Sequence, residues 1–209
     1  MRFHLGILIV LQCVFSVSAF AADIAAITQQ FRASFRDDTI YTDGRCGPNV
    51  TRFIDILKNK RINIRGLQIV EIKDRGLSSL EGAHPYLARG RGSLQRNGPC
   101  AERGTRAPGE AEWFHHVILT ADGMVFDFDY TNNPTVVTLN EYFITMFLPP
   151  EARGDVERIS RSLGNYGAEF FDVDLARPNF QGAKVSSGKL KELFPSWFTP
   201  EQLCRNNLL

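Results

Sequence analysis

Two β-rich runs, Trp113 to Thr120 and Met124 to Tyr130, are joined by Ala121-Asp122-Gly123. An Asp-Gly pair between two such runs is the strongest short-range signal for a β-hairpin. This feature commits the middle of the chain to antiparallel strand pairing. Around it, apolar residues recur at helical spacing. Ile24, Ile27, Phe31 and Phe35 predict a helix from Asp23 to about Arg36, with Asp23 as its N-cap. Val50, Phe53, Ile54 and Leu57 predict a second helix, with Pro48 in its first turn and Cys46 at or just before its start. Thr138 followed by Glu141 forms a capping box for a helix from Leu139 to Leu148, which Pro149-Pro150 stops. Leu67 to Ile72 and Ala168 to Leu175 read as further strands, and Val156 to Leu163 and Gly188 to Leu193 as further helices. Helices first and antiparallel strands later make an α+β domain.

The N-terminus carries a different signal. Arg2 precedes an apolar run from Leu5 to Val17, and Ala19-Phe20-Ala21 offers the small-x-small pattern of a cleavage site, so residues 1–21 read as a signal peptide. The run falls short of the roughly 20 residues a spanning helix needs. Residues 22–209 then form a single domain, secreted or periplasmic, large enough for its own core. The chain is 44% apolar and 22% charged, with 24 basic against 23 acidic residues. Such a balance excludes a disordered chain and gives no electrostatic reason to expect nucleic acid or an anionic membrane as partner. From Asp74 to Ala111 the chain holds seven glycines and six arginines without any sustained period, which reads as a long insertion, either facing a substrate or forming a surface loop.

Of the four cysteines, Cys13 leaves with the signal peptide, and Cys46, Cys100 and Cys204 remain. Three is an odd number in an oxidising compartment, so one thiol is left over if two pair. Cys46 is either half of a bridge to Cys100 or Cys204, or a nucleophile. The second reading follows from its place at a helix start, where the positive end of the helix dipole and free N–H groups favour a thiolate. A nucleophilic cysteine needs a base, and the base needs a carboxylate to hold its tautomer. His115 and His116 on the first strand of the hairpin supply candidates, as do Asp127 and Asp129 on the second. With a two-residue turn, Ala121 pairs with Met124, which puts Asp129 opposite His116 with Asp127 diagonal on the same face, and sends His115 to the other face. The same residues could ligate a metal, but they lack the close Cys-x-x-Cys or His-x-x-x-His spacing of zinc sites.

Three motifs, Cys46-Gly47-Pro48-Asn49-Val50 at a helix start, Trp113-Phe114-His115-His116-Val117, and Val125-Phe126-Asp127-Phe128-Asp129, resemble in order and spacing those of the protein N-terminal glutamine amidohydrolases. The similarity runs from about Cys46 to Phe147. It implies a papain- and transglutaminase-like α+β fold, with the nucleophile at a helix N-terminus packed on an antiparallel sheet, and no cofactor and no metal. Residue by residue it implies Cys46 as nucleophile, His116 as base and Asp127 as the orienting carboxylate; strand pairing alone favours Asp129, which stays as second choice. The implied activity is that of a cysteine-dependent amidohydrolase that deamidates glutamine in a protein or peptide, N-terminal or internal, through a thioester, acting as a monomer. A thiol protease, a transglutaminase and a non-enzymatic secreted binding or toxin protein are the alternatives. The signal peptide and the 74–111 insertion depart from that family and bear on specificity. With Cys46 as the nucleophile, Cys100 and Cys204 are left to form a bridge, worth on the order of 4 kcal/mol for a closed loop of about 100 residues. Asn49-Val50-Thr51 is formally a glycosylation sequon, but a glycan there would obstruct the nucleophile helix.

Overall fold

The computed structural model describes residues 22–35, 37, 39–42, 45–74, 86–89, 110–113, 115–131, 133–148, 152–164 and 166–209. The expected signal peptide, most of the 74–111 insertion and Cys100 lie outside the described residues. Two helices come first, α1 (Ile24–Ser34) and α2 (Cys46–Asn59), followed by strand β1 (Leu67–Asp74). Strands β2 (Tyr86–Arg89) and β3 (Glu110–Trp113) pair antiparallel with each other as a separate two-stranded sheet, so part of the stretch read as aperiodic is strand. Then come β4 (His115–Ala121), β5 (Met124–Phe126), β6 (Val137–Thr138), α3 (Leu139–Phe147), α4 (Val156–Gly164), β7 (Tyr166–Val173), β8 (Gln181–Lys189), α5 (Leu190–Leu193), a 3₁₀ turn (Pro195–Phe198) and α6 (Pro200–Arg205). The main sheet has six strands in the order β6-β5-β4-β1-β7-β8, with antiparallel neighbours throughout. The architecture is α+β.

Alternation along the central strands sorts the core into two halves, one on each face of the sheet. Leu67 and Ile69 of β1 and Val117, Leu119 and Ala121 of β4 face α1 and α2, where Ile27, Phe31, Val50, Phe53, Ile54 and Leu57 are buried. Val70, Ile72, Ile118, Ala168 and Phe170 face the other way, onto α3, α4, α5 and α6. Phe31 is fully buried at the centre of the first half, with the rings of Phe35, Phe53, Phe126 and Phe128 between 4.9 and 5.8 Å from its own in edge-on arrangements. Edge-to-face pairs of this kind add to the area they bury. Asp23 caps α1 by accepting from the Ala26 N–H, and Thr138 caps α3 by accepting from the Glu141 N–H, as the sequence signals require.

The β4–β5 turn has two residues, Asp122 at φ +49° and Gly123 at φ +73°. Two successive positive φ values define the mirror-image turn whose twist matches a hairpin, and glycine takes the second without steric cost. Ala121 pairs with Met124, the expected register. The second strand is shorter than its composition suggests, ending at Phe126 instead of Tyr130, because the Asp127 side chain accepts the Asp129 N–H at 2.9 Å and turns the chain out of the ladder. Three other differences are local. Gly188 and Lys189 belong to β8, so the helix expected from Gly188 starts at Leu190. Strand β8 itself, Gln-Gly-Ala-Lys-Val-Ser-Ser-Gly-Lys, is a polar edge strand with no apolar period to reveal it. Helix α6, capped by Thr199, was hidden in a six-residue stretch too short to show a period.

Among the described residues no helix is long and apolar enough to cross a membrane. Cys46 and Cys204 are both free thiols, so the expected Cys100–Cys204 bridge is not made by Cys204 in this structure. Cys204 lies exposed on α6.

Candidate active site

Cys46 is the first residue of α2, and its helix position has a local cause. Arg45 occupies the N-cap without making a side-chain cap bond, and the first turn holds no acidic residue. The N-terminal N–H groups of the helix therefore receive no acceptor from the N-cap side chain. Pro48 has no N–H and the Asn49 N–H is spent on the Arg45 carbonyl, so Cys46 and Gly47 are the amides placed to receive a ligand oxygen.

Asn49 explains how the preceding segment is fixed. Its buried amide donates from Nδ2 to the Thr42 carbonyl and accepts at Oδ1 from the Thr42 N–H, both at 2.9 Å. Arg52, one turn further along, donates to the Ile40 carbonyl and to the Thr42 hydroxyl. Two polar side chains of α2 thus hold residues 40–42 against the helix and set the path of the chain into Cys46. This arrangement also bears on the Asn49 sequon, since an amide nitrogen committed to a buried hydrogen bond has no room for a sugar.

His116 approaches from the sheet. It shares a face of β4 with Ile118, on the side of α3, whereas α2 lies across the opposite face. The two meet because the β4–β5 ladder stops at Leu119 and Phe126, before it reaches His116, and leaves the sheet open at that point. There the half-buried Cys46 thiol lies near enough to the imidazole to contribute to its raised pKa. The ring's Nε2 lies 3.0 Å from Asp127 Oδ2, which leaves Nδ1 as the nitrogen for the thiol.

Asp127 sits in the turn that follows β5. Its Oδ2 accepts from His116 Nε2 and, at 2.8 Å, from the phenol of Tyr142 on α3; its Oδ1 accepts from the Asp129 N–H. His116, Asp127 and Asp129 are each at most 4% exposed. Asp129 is turned toward Tyr41, whose hydroxyl donates to its Oδ1 at 2.9 Å. Strict pairing would have put Asp129 across from His116. The early end of β5 overturns that expectation, and it is Asp127 that meets the imidazole.

The charge environment follows from this packing. Burial works hardest on His116 and disfavours its cation, but the charge and hydrogen bond of Asp127, with a smaller contribution from Cys46, outweigh it and hold the imidazole well above its ordinary pKa. Burial, reinforced by the Asp127 charge, pushes the Tyr142 phenol well above its ordinary value, so it stays protonated and donates. Such a site contains a thiol, an imidazole and a carboxylate hydrogen-bonded to the ring, the kinds of group that nucleophilic catalysis uses.

Ligand atoms of His116, Asp127 and Asp129 also lie within 4.8 Å of one another, a spacing that could hold a metal ion. Their lone pairs are already directed at donors, however: three on Asp127 and Tyr41 on Asp129. A cation there would have to displace them.

A cleft of about 560 Å³ opens beside the start of α2. Gly47, Pro48 and Val50 of the helix form one wall, Ile69 and Val117 the floor, and Pro178 and Asn179 of the β7–β8 connection the other wall. Glu71 and Gln181 line it as well and are hydrogen-bonded to each other. Gly47 and Val117 are the chain neighbours of Cys46 and His116.

The chain matches no model of a known protein family, and no curated protein matches it. Tyr142 and Tyr41 were not singled out in the sequence. Tyr142 sits in a helix whose period marks it as a core residue, and no motif announces its hydroxyl; Tyr41 lies in a polar stretch without periodicity. The side chain of His115 lies outside the described residues.

Proposed function

We propose that the protein is a cysteine-dependent amidohydrolase that converts a glutamine carboxamide of a protein or peptide to a carboxylate through a thioester. The observation that carries this reading is the placement of the Cys46 thiol at the start of α2 beside His116, whose Nε2 lies 3.0 Å from Asp127. The choice of a carboxamide rests on the resemblance to the N-terminal glutamine amidohydrolases, which also suggests a papain- and transglutaminase-like fold. The expected signal peptide makes the enzyme secreted or periplasmic.

In the first half-reaction the Cys46 sulfur attacks the carboxamide carbon while its proton resides on His116. The oxyanion lies against the Cys46 and Gly47 N–H groups at the positive end of α2. His116 then gives its proton to the departing nitrogen, the C–N bond breaks, and ammonia leaves a thioester behind. In the second half a water gives a proton to His116 and attacks the thioester, and the sulfur leaves as thiolate with the imidazolium restored. Asp127 keeps Nε2–H of the ring engaged through both steps, so that Nδ1 faces the reacting atoms.

Ammonia release from glutamine-containing peptides, with the mass change of amide to acid and no chain cleavage, tests the proposal. It should vanish in Cys46→Ala. New amino termini would point instead to a thiol protease, and an amine-linked product to a transglutaminase. Activity that survives Cys46→Ala would sink all three. Failure of Cys46 to react with iodoacetamide near neutral pH would favour a non-enzymatic binding protein on the same scaffold.

A further inference from the structure

We infer that Tyr142 is a positioning residue of this site: its phenol competes with His116 for one oxygen of Asp127, and thereby fixes the carboxylate and tempers its hold on the imidazolium. The inference rests on the proposed catalytic role of Cys46 and His116. Tyr142 belongs to α3 and is fully buried, its ring packed against Tyr130, Phe143 and Phe147 at 5.3 to 6.0 Å. A tyrosine in such surroundings could be phenylalanine at no cost to packing, were it not for its hydroxyl. The hydroxyl donates to Asp127 Oδ2 at 2.8 Å, the same oxygen that lies 3.0 Å from His116 Nε2. With the Asp129 N–H on the other oxygen, the carboxylate is held by three donors from three directions and cannot rotate away from the ring.

Two donors on one oxygen divide its charge. The phenol hydrogen carries a positive partial charge close to the imidazolium, so it weakens the attraction between Asp127 and His116. That matters for turnover, because His116 must give its proton to the leaving nitrogen, and a cation held too tightly is a poor acid. Among the described residues, the other titratable groups near the imidazole are Cys46 from α2 and Asp129 from the turn after β5, the latter itself hydrogen-bonded to Tyr41. The phenol is protected from ionising by its burial beside Asp127, so it acts as a donor at all working pH values.

The test uses the full chain with Tyr142→Phe, reading the pH dependence of Cys46 alkylation by iodoacetamide, the His116 imidazole titration by NMR, and glutamine turnover. The His116 titration and the alkaline limb of alkylation should move to higher pH, and kcat should fall on the order of tenfold, the effect of one lost hydrogen bond to a charged group. Replacement of Tyr142 by a fluorinated tyrosine, a stronger donor of the same shape, should move the titration the opposite way, and it keeps the test open if the phenylalanine variant folds poorly. Unchanged titrations in both variants, with only a lower melting temperature, would overturn the inference and leave Tyr142 a packing residue. Alkylation and NMR read Tyr142 even if no glutamine substrate is turned over, so failure of the proposed reaction and failure of this inference are separable.

Discussion

The Tyr41 hydroxyl donates to the buried carboxylate of Asp129 at 2.9 Å, and so joins the segment that leads into Cys46 to the turn that carries Asp127. The proposed nucleophile and its proposed orienting carboxylate come from distant parts of the chain, on α2 and after β5. This bond, together with the Asn49 clamp on Thr42, sets how far apart they stand. Tyr41→Phe and Asp129→Asn should each slow Cys46 alkylation and glutamine turnover several-fold. A double-mutant cycle should give a coupling energy of about 1 kcal/mol, the usual net value of one such bond. Strict additivity of the two substitutions in thermal unfolding would show that the contact does not join these segments energetically.

Asp127 and Asp129 should differ sharply in their effect on chemistry. Asp127 supplies the largest influence opposing burial at His116, so Asp127→Asn removes the charge that keeps the ring protonated. The His116 titration should fall to lower pH, and kcat should drop by about 10²- to 10⁴-fold, as for loss of the carboxylate in other triads. Asp129→Asn should cost far less. Equal losses for the two variants would mean that the imidazole is oriented by both carboxylates to the same degree, and not chiefly by Asp127, which it meets at 3.0 Å.

The contrast between these two aspartates shows what the sequence could and could not carry. Hairpin register was readable from Asp122-Gly123, and it pointed to His116, whose Nε2 lies 3.0 Å from Asp127 in the structure. It failed one step later, because pairing rules assume that a strand continues, whereas the Asp127 side chain captures the Asp129 N–H and ends β5. The helix start at Cys46 was visible in Pro48 and the apolar period, yet the clamp by Asn49 and Arg52 was not, since polar contacts between a helix and its own approach segment leave no periodic trace. Strand β8 escaped for the same reason, being polar and at the sheet edge. Tyr142 was legible only as core, because a core tyrosine and a hydrogen-bonding one look alike in a helical period.

The raised pKa of His116 links stability to pH. The folded protein holds a proton on this ring at pH values where the unfolded chain, with a pKa of about 6.5, has released it. That contribution is complete below about pH 6.5 and is lost as pH rises through the higher folded value. In a Cys46→Ser background, which removes the thiol as a second titrating group, the melting temperature should therefore decline as pH is raised above neutrality. Adding Asp127→Asn should flatten the decline. A melting temperature that climbs over this range would contradict a protonated His116 in the folded state.

Asn49 is a stability prediction with a chemical side. Its amide is 1% exposed and both of its polar atoms bond the backbone of Thr42. Asn49→Ala would leave those groups of the exposed Thr42 to water in place of their buried partner, at a cost of about 1 kcal/mol per lost bond. Asn49→Asp would keep the acceptor toward the Thr42 N–H but set a carboxylate oxygen against the Thr42 carbonyl, so it should destabilise as well. Because residues 40–42 precede Cys46, both variants should slow alkylation of the thiol more than their loss of stability accounts for once measurements are made well below the melting temperature. The buried amide also forbids a glycan at Asn49-Val50-Thr51. Chain secreted from a eukaryotic host should show no added sugar mass at this sequon, and a glycosylated, fully active protein would require Asn49 to leave the position that holds Thr42 in place.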